Sequence, residues 1–306
     1  MKRSFREGYP NHVYCKCVDG NVSFYSTADC IYYITLYSCL SRKYHIRTNA
    51  FSIMPNHTHA QQSAEKRRDF VSFNQALVSQ FTRGYNIQHN RSGELFHKPF
   101  GSVPKIGEKY IKNNLSYINN NGASGKLSKG VLDYRWNLMA YYGSDHPFSE
   151  KIVLNQASRR MKWAIKYVDR LYKEGKPLDY RIQDMLFKGL NRKENKQLTD
   201  YIISRYKFLD YSLLKAYYGT FENALFAMDA NTGSEHDIKE DWEDFSEYRS
   251  MIEVCRQAGY NMESINFKLM KKEELFDLVI LLSSVTKDKR KIFRFLHMDS
   301  GHEIID

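Results

Sequence analysis

Hydrophobic and polar positions in the first half of the chain follow two different periods, and each change of period predicts a change of element. Alternating and β-branched runs predict strands, whereas apolar residues three or four positions apart predict helices. The predicted elements are, in chain order, a strand over 12–18, a helix over 27–42, strands over 45–54 and 57–62, a helix over 68–89, a strand over 95–103 and a helix over 107–120.

The order strand, helix, strand, strand, helix, strand is typical of a ferredoxin-like α+β arrangement. We therefore expect an antiparallel sheet with its helices packed against one face. The Pro55-Asn56 pair predicts a tight turn between the two middle strands. The helix over 107–120 should lie close to the strand over 57–62.

The second half of the chain changes to helical periodicity. Apolar spacing predicts a helix over 149–173, which Gly175-Lys176-Pro177 ends. Shorter helices are predicted over 192–206, 210–217, 220–228, 246–258 and 271–284. The change of pattern indicates two units, an α+β domain over 1–148 and an α-helical accessory domain over 149–306.

The last helical segment, EELFDLVILLSSVTKDKRKIFRFLHM, is compatible with two interpretations. A helix-turn-helix would present a basic helix to duplex DNA through Lys287, Arg290, Lys291 and Arg294. A terminal helix docked on the bundle would instead be held by Ile292, Phe293 and Leu296. The sequence leaves both open, and with them the role of the accessory domain in DNA binding.

The formal net charge of +11 on the 306 residues is concentrated in the first half of the chain. Residues 1–150 hold 19 Lys and Arg against 10 Asp and Glu, whereas residues 151–306 hold 27 against 25. A polyanion, most simply nucleic acid, is the expected partner of such a surface.

Targeting and cysteine signals are weak. No apolar run reaches the roughly 18 residues of a spanning helix, and the N-terminus lacks the apolar core of a signal peptide. The five cysteines form no C-x-x-C pair, which argues against a disulfide framework and against a structural zinc site. We therefore expect a cytoplasmic protein without membrane contact.

Two histidines in the stretch FSIMPNHTHAQQ, His57 and His59, form the first candidate for chemistry. On an extended strand both imidazoles project to the same face, while Thr58 projects to the other. The pair could hold one metal ion, although an H-x-H on a strand is more often structural.

The helix over 107–120 supplies the second candidate. Helical spacing brings Tyr110, Asn114, Tyr117 and Asn121 to one face. Tyr117 could act as a nucleophile and Asn121 as a third ligand beside the two histidines, a set that suits Mg²⁺ or Mn²⁺ better than a closed zinc site. With 23 tyrosines in the chain, packing is the competing explanation for Tyr117.

Cations and aromatic residues alternate between the second helix and the strand that follows it. Surfaces that track a DNA backbone and stack its bases have this composition, here Arg83, Tyr85, Arg91, Phe96, His97, Lys98 and Phe100. The two phenylalanines could equally be core residues of a strand. Lys105 is a further candidate for DNA binding, with a solvated helix face as its alternative.

Five segments resemble, in order and spacing, the REP-associated tyrosine transposases, relatives of the single-tyrosine HUH transposases of insertion sequences. These segments are GYPNHVYCKCVDGN, the MPNHTH box, RGYNIQHNRSGELFHKPFGSV, YINNNGASGKL and DYRWNLMAYYG, within about residues 8–142. The resemblance implies that His57 and His59 hold a divalent metal ion, Mg²⁺ or Mn²⁺, that Asn121 completes the site, and that Tyr117 is the nucleophile.

Two positions depart from the pattern of this family. Gly122 follows Asn121 where the family has a proline, and Thr58 stands between the histidines where an apolar residue is usual. We expect Gly122 to loosen the end of the tyrosine helix. Thr58 should matter little because it faces away from the metal.

A member of this family would be a transposase that cuts single-stranded, hairpin-bearing DNA through a 5′-phosphotyrosine and rejoins it without ATP. The resemblance also implies a nucleoid-associated location and a possible homodimer. One alternative is a relative that binds structured DNA without cutting it. Another is a hydrolase in which the histidines activate water, but the histidine box offers no Asp or Glu as its general base.

Overall fold

One four-stranded antiparallel sheet forms the centre of the first half of the chain. The computed structural model describes residues 4–230 and 244–298. The strand order is β2-β3-β1-β4, and every neighbouring pair is antiparallel. The strands are β1 (Asn11–Lys16), β2 (Arg47–Met54), β3 (His57–Ser63) and β4 (Gly101–Pro104). The predicted antiparallel sheet with accompanying helices is confirmed.

The strand predicted over 95–103 is much shorter than expected. Only Gly101–Pro104 pairs continuously with β1, while the residues before it touch the sheet through a single bridge between Phe96 and Cys17. Pro99 has no N–H to donate to a ladder, which is one reason why regular pairing does not extend through this segment.

Three long helices accompany the sheet. They are α1 (Thr27–Lys43), α2 (Arg67–Gln88) and α3 (Glu108–Ser124). A capping box starts α1, because Ser26 accepts from the Asp29 N–H and the Asp29 carboxylate accepts from the Ser26 N–H. The α2 stripe of Phe70, Phe73 and Phe81 is fully buried, each ring contributing about 1.5 to 3 kcal/mol.

The helices cover both faces of the sheet, so the expectation of helices on one face is wrong. Thr58 on β3 bonds to Tyr33 of α1, whereas Gln61, three residues further along the strand and on the opposite face, bonds to Asn114 of α3. The burial of two neighbouring strands agrees with this: β2 and β3 are buried along nearly their whole length, so both of their faces have a covering layer.

The second half of the described chain is helical. Its helices are α4 (Arg159–Lys173), α5 (Tyr180–Phe187), α6 (Arg192–Arg205), α7 (Ser212–Tyr218), α8 (Phe221–Asp229), α9 (Ser246–Gln257), α10 (Lys272–Ser283) and α11 (Lys289–Leu296). The helix predicted from residue 149 begins ten residues later, where Ser158 caps it. The domain boundary near residue 148 stays a prediction.

Side chains and backbone of the helical half bond directly to the first half. The Asp210 N–H donates to the Thr48 carbonyl at 2.8 Å, and the Tyr180 hydroxyl donates to the buried Asp29 carboxylate at 2.8 Å. Phe208 stacks on Tyr37 of α1 with ring centroids 4.1 Å apart. No helix in the described ranges is both long enough and apolar enough to cross a bilayer.

The terminal helix α11 is docked, as the second of its two interpretations predicts. Ile292, Phe295 and Leu296 are buried, whereas Phe293 is only half-buried. Two cations of the basic helix are used inside the protein. Lys291 bonds to Glu247 and to the Asp244 carbonyl, and Arg294 packs against Gly20.

Candidate functional site

The turn between β2 and β3 sets the position of the two histidines. Its two residues are held from the other side by the chain that follows β1. The Cys17 N–H donates to the Asn56 carbonyl at 2.9 Å, and the Ser23 and Phe24 N–H groups donate to the Pro55 carbonyl at 2.9 and 3.1 Å. These hydrogen bonds fix the position of the turn. Strand β3 begins directly after it, with His57 as its first residue.

His57 and His59 share one face of the sheet, as the sequence predicts. Their ring centroids lie 4.8 Å apart with the planes nearly perpendicular, at 82°. The Nδ1 atom of His57 lies 2.6 Å from the Asn56 side-chain oxygen, and the Nδ1 atom of His59 lies 2.8 Å from Nε2 of His12. In both rings Nδ1 is engaged in a hydrogen bond within the protein.

Strand β1 places three further polar side chains on the histidine face, and sequence reasoning missed them. Tyr14 pairs with His59 and Lys16 with His57 across the ladder, and His12 lies one pair further along the same face. Their signal was the alternation in HVYCKCV, which separates polar from apolar positions. That β1 lies beside β3 is a property of the topology and could not be seen in the alternation alone.

Helix α3 covers this face and presents Tyr117 to it. The ring centroid of Tyr117 is 5.6 Å from that of His59 and 5.8 Å from that of His12, both in edge-on contact. The Gln61 amide donates to the Asn114 side chain at 2.9 Å, and so ties α3 to β3 one turn before Tyr117. Tyr117 is only 7% exposed, so its phenol lies inside the site.

The predicted face of α3 is observed for three of its four residues. Asn114, Tyr117 and Asn121 are buried, whereas Tyr110 in the first turn is 56% exposed and belongs to the surface. Asn121 has a side-chain nitrogen without a hydrogen-bond partner among the described residues. An unsatisfied buried donor is costly, and an acceptor such as a phosphate oxygen of a substrate could satisfy it.

Gly122 does not loosen the tyrosine helix, contrary to expectation. Helix α3 continues past it to Ser124. A Cβ at this position would lie 2.3 Å from the ring of Tyr134, whose hydroxyl donates to the Ile53 carbonyl at 2.5 Å. The glycine therefore allows an aromatic ring to lie directly on the helix and to link it to β2.

A metal ion held by the histidine pair would need an oxygen ligand of a different kind. In the part of the chain that the structure describes, no three His, Cys, Asp or Glu side chains are grouped as a metal site requires. The donors that remain are an amide oxygen, such as that of Asn121, and oxygen atoms of a substrate. Two imidazoles with oxygen ligands fit Mg²⁺ or Mn²⁺ in an open site.

The helical half reaches the same site through Phe245, which sequence reasoning also missed. Its ring centroid is 5.7 Å from that of His57, and its N–H donates at 3.1 Å to the carbonyl of Gly125, the residue after α3. Phe245 thus contacts both the histidine strand and the end of the tyrosine helix. Its neighbours before residue 244 lie outside the described residues.

Apart from Phe96 and Phe100, six residues are predicted to bind DNA, and four of them line one groove of about 890 Å³ between the C-terminal half of α2 and the segment 94–99. Arg83, His97 and Lys98 are exposed there. Arg91 is half-buried. Its guanidinium donates to the Asn86 side-chain oxygen on α2 and to the Glu94 carbonyl, and so joins the two sides of the groove.

The other two predicted DNA-binding residues are not on the surface. Tyr85 is 1% exposed, stacks on His89 and has a phenol pKa raised well above its usual value by burial. Lys105 is 2% exposed. Neither fits the surface role predicted for it. Phe96 and Phe100 are buried, as their core interpretation predicts.

The chain is similar to a protein of known structure. No family model matches this chain, and no curated protein does. Among solved structures, a REP-associated tyrosine transposase bound to a REP hairpin matches 45% of this chain and 81% of its own, with 18% identity and a TM-score of 0.38. This is the family that the sequence motifs resemble. An identity and a TM-score this low carry no argument about activity.

Proposed function

We propose that this chain is a metal-dependent single-stranded DNA endonuclease and strand transferase of the HUH transposase type, with Tyr117 as its nucleophile. The observation that carries the proposal is the contact of the Tyr117 ring with His59, at 5.6 Å, above a pair of histidines on one sheet face. The proposal includes a ferredoxin-like fold for the first half of the chain. It is supported by the strand order, with α1 between β1 and β2 and α2 between β3 and β4.

His57, His59 and the Asn121 amide would hold Mg²⁺ or Mn²⁺. When bound, the metal supplies positive charge that polarises the scissile phosphate and offsets the charge that develops on it. The protein itself holds the metal ligands and the tyrosine helix in fixed relative positions. The histidines stand on a strand that is paired on both sides, and the Gln61–Asn114 hydrogen bond joins that strand to the tyrosine helix.

Tyr117 would act as a covalent catalyst. Its phenolic oxygen forms a bond to phosphorus, the bond from phosphorus to the 3′ oxygen breaks, and the phenol proton is released as the 3′ oxygen gains one. The products are a 5′-phosphotyrosine and a 3′-hydroxyl. A second 3′-hydroxyl can then attack the phosphotyrosine and restore the phenol, so strands are exchanged without ATP.

The expected substrate is single-stranded DNA that carries a hairpin. A bulky phenol must approach the phosphate in line, which an unpaired strand permits more readily than a duplex. Arg83, His97 and Lys98 line a groove that could track the phosphate backbone. A nucleoid-associated location follows from such a substrate.

Covalent trapping tests the proposal. The full-length chain is incubated with hairpin-bearing single-stranded DNA and Mn²⁺, and a denaturing gel is examined for a protein–DNA adduct. We expect an adduct with the wild-type chain, none with Tyr117→Phe, and a normal yield with Tyr110→Phe. Tyr110 is the matched control because it lies on the same helix but is exposed. Cleavage by Tyr117→Phe at the wild-type rate would assign the attack to water and overturn the proposal.

The burial of Tyr117 favours a second candidate, a DNA-binding protein that does not cut. A phenol that is 7% exposed has to become accessible before it can reach a phosphate. Hairpin binding of equal affinity in the wild-type chain and Tyr117→Phe, with no adduct on any of several hairpins, would identify this second function.

A further inference from the structure

We propose that Asn56 is a positioning residue that holds His57 in the tautomer required of a metal ligand, with His12 doing the same for His59. This inference rests on the proposed function, because it concerns the same two histidines. Metal-binding histidines generally engage their second ring nitrogen in a hydrogen bond that sets the tautomer and the ring orientation. In this protein, Nδ1 of each ring makes such a hydrogen bond.

The Asn56 amide has a defined orientation, which makes the tautomer of His57 readable. Oxygen and nitrogen of an amide are assigned from the bonds they make. The Asn56 Nδ2 group donates to the Gly20 carbonyl, at 3.1 Å, and a carbonyl can only accept. The other side-chain atom, 2.6 Å from His57 Nδ1, must then be the oxygen. It follows that Nδ1 of His57 carries a proton, and in the neutral ring the lone pair is then on Nε2.

The position of Asn56 is itself held by two hydrogen bonds to the segment that follows β1. Its own carbonyl accepts from the Cys17 N–H, and its side chain bonds to Gly20. The residues just after Gly20 are tied to the terminal helix, because the Val22 N–H donates to the Arg294 carbonyl at 3.1 Å. These hydrogen bonds restrain the rotation of the Asn56 amide. The orientation of the amide therefore sets the orientation of the His57 ring.

His12 provides the corresponding contact for His59. Its Nε2 atom is 2.8 Å from Nδ1 of His59, and both rings are buried. Two neutral imidazoles can share this bond in either direction. A metal ion on Nε2 of His59 requires the proton on Nδ1, so metal binding selects the direction in which His59 donates to His12.

Ring tautomers and metal affinity test the inference separately. Long-range ¹H–¹⁵N correlation spectra of the metal-free full-length chain, at a pH where the rings are neutral, report which nitrogen of His57 is protonated. We expect Nδ1–H in the wild-type chain and in Asn56→Asp, which keeps the accepting oxygen. We expect the Nε2–H form usual for an unrestrained imidazole in Asn56→Leu. Calorimetric titration with Mn²⁺ alone should show an affinity about 10- to 100-fold lower for Asn56→Leu.

The matched control is Asn49→Leu. Asn49 is a buried amide on the adjacent strand that also donates to a carbonyl, that of Asp210 at 3.0 Å. Its loss should lower stability without changing the His57 tautomer or the Mn²⁺ affinity. An Nδ1–H tautomer that persists in Asn56→Leu, or an unchanged Mn²⁺ affinity, would overturn the inference. If the tautomers behave as expected but His57→Ala binds Mn²⁺ as well as the wild-type chain, the proposed function fails instead.

Discussion

The docking of the terminal helix should depend on pH through His297. This residue ends α11 in a left-handed conformation, with φ of 56°, and its Nε2 atom bonds to the Val22 carbonyl. Burial lowers the pKa of His297 from 6.5 to about 4, with Arg91 and Lys268 adding to the effect. The charged imidazolium is therefore disfavoured in the docked state.

The sign and size of the effect follow from linkage. Between pH 6.5 and pH 4 the unfolded chain binds more protons at this site than the folded one, so the free energy of unfolding falls as the pH falls. One pKa unit corresponds to about 1.4 kcal/mol. Between pH 7 and pH 5, a shift of the size given for His297 removes about 1 to 2 kcal/mol, after allowing for the part of the ring that solvent reaches.

Urea unfolding at pH 7 and pH 5 measures this difference. The control is His297→Asn, because asparagine tolerates the left-handed conformation and its amide can still donate to the Val22 carbonyl. We expect the wild-type chain to lose about 1 to 2 kcal/mol more stability than the variant over this range. Equal losses in both proteins, or a His297 pKa of 6.5 or higher by NMR titration, would refute the reasoning.

Three further substitutions test which residues contribute to stability, to Mn²⁺ binding and to DNA binding. Thr58→Val removes a hydroxyl that bonds to Tyr33 on the face away from the histidines, so it should cost about 1 kcal/mol in urea unfolding but leave Mn²⁺ affinity unchanged. Gly122→Ala places a Cβ against the Tyr134 ring, and the overpacking should exceed the gain in helix propensity and lower stability by about 1 to 2 kcal/mol. Arg83→Ala should weaken hairpin binding and reduce the slope of log affinity against log salt by about 0.7, and an unchanged slope would place Arg83 outside the DNA interface.

Local patterns predicted the histidine strand and its turn well, because both depend on neighbours in the sequence. The Pro55-Asn56 turn and the alternation after it place both histidines on one face without reference to any other element. Helical spacing, which also depends only on neighbours in the sequence, would have excluded Tyr85 from the DNA surface. It lies four residues after Phe81, on the buried stripe of α2, whereas Arg83 lies off that stripe.

Pairings between distant segments could not be predicted in the same way. The amphipathic pattern of α3 shows that one side is buried, but not which face of the sheet it covers. That choice depends on how distant elements pack, since both faces of β2 and β3 are buried in the folded chain. His12 and Phe245 belong to the site for similar reasons, since each arrives from a segment more than 40 residues away from His57 in the chain.

Whether the helical half binds DNA itself is best tested without truncation. Removing the chain after residue 148 would also remove Phe208 from its stack on Tyr37 and Phe245 from its contact with His57, so a loss of affinity would report a damaged site. A single exposed charge is a cleaner probe. The Arg290 side chain is 83% exposed and close only to Asp288 among the carboxylates of the described residues.

Charge reversal on this helix should have a smaller effect than in the groove. Lys291 and Arg294 already bond or pack inside the protein, so two of the cations that a recognition helix would offer are engaged, and Lys289 and Arg290 remain exposed on α11. We expect Arg290→Glu to change hairpin affinity, measured by fluorescence anisotropy at one fixed salt concentration, by less than about twofold, and Arg83→Glu by about tenfold or more. An effect of Arg290→Glu as large as that of Arg83→Glu would show that α11 contacts DNA despite being docked, and that the basic helix serves both purposes.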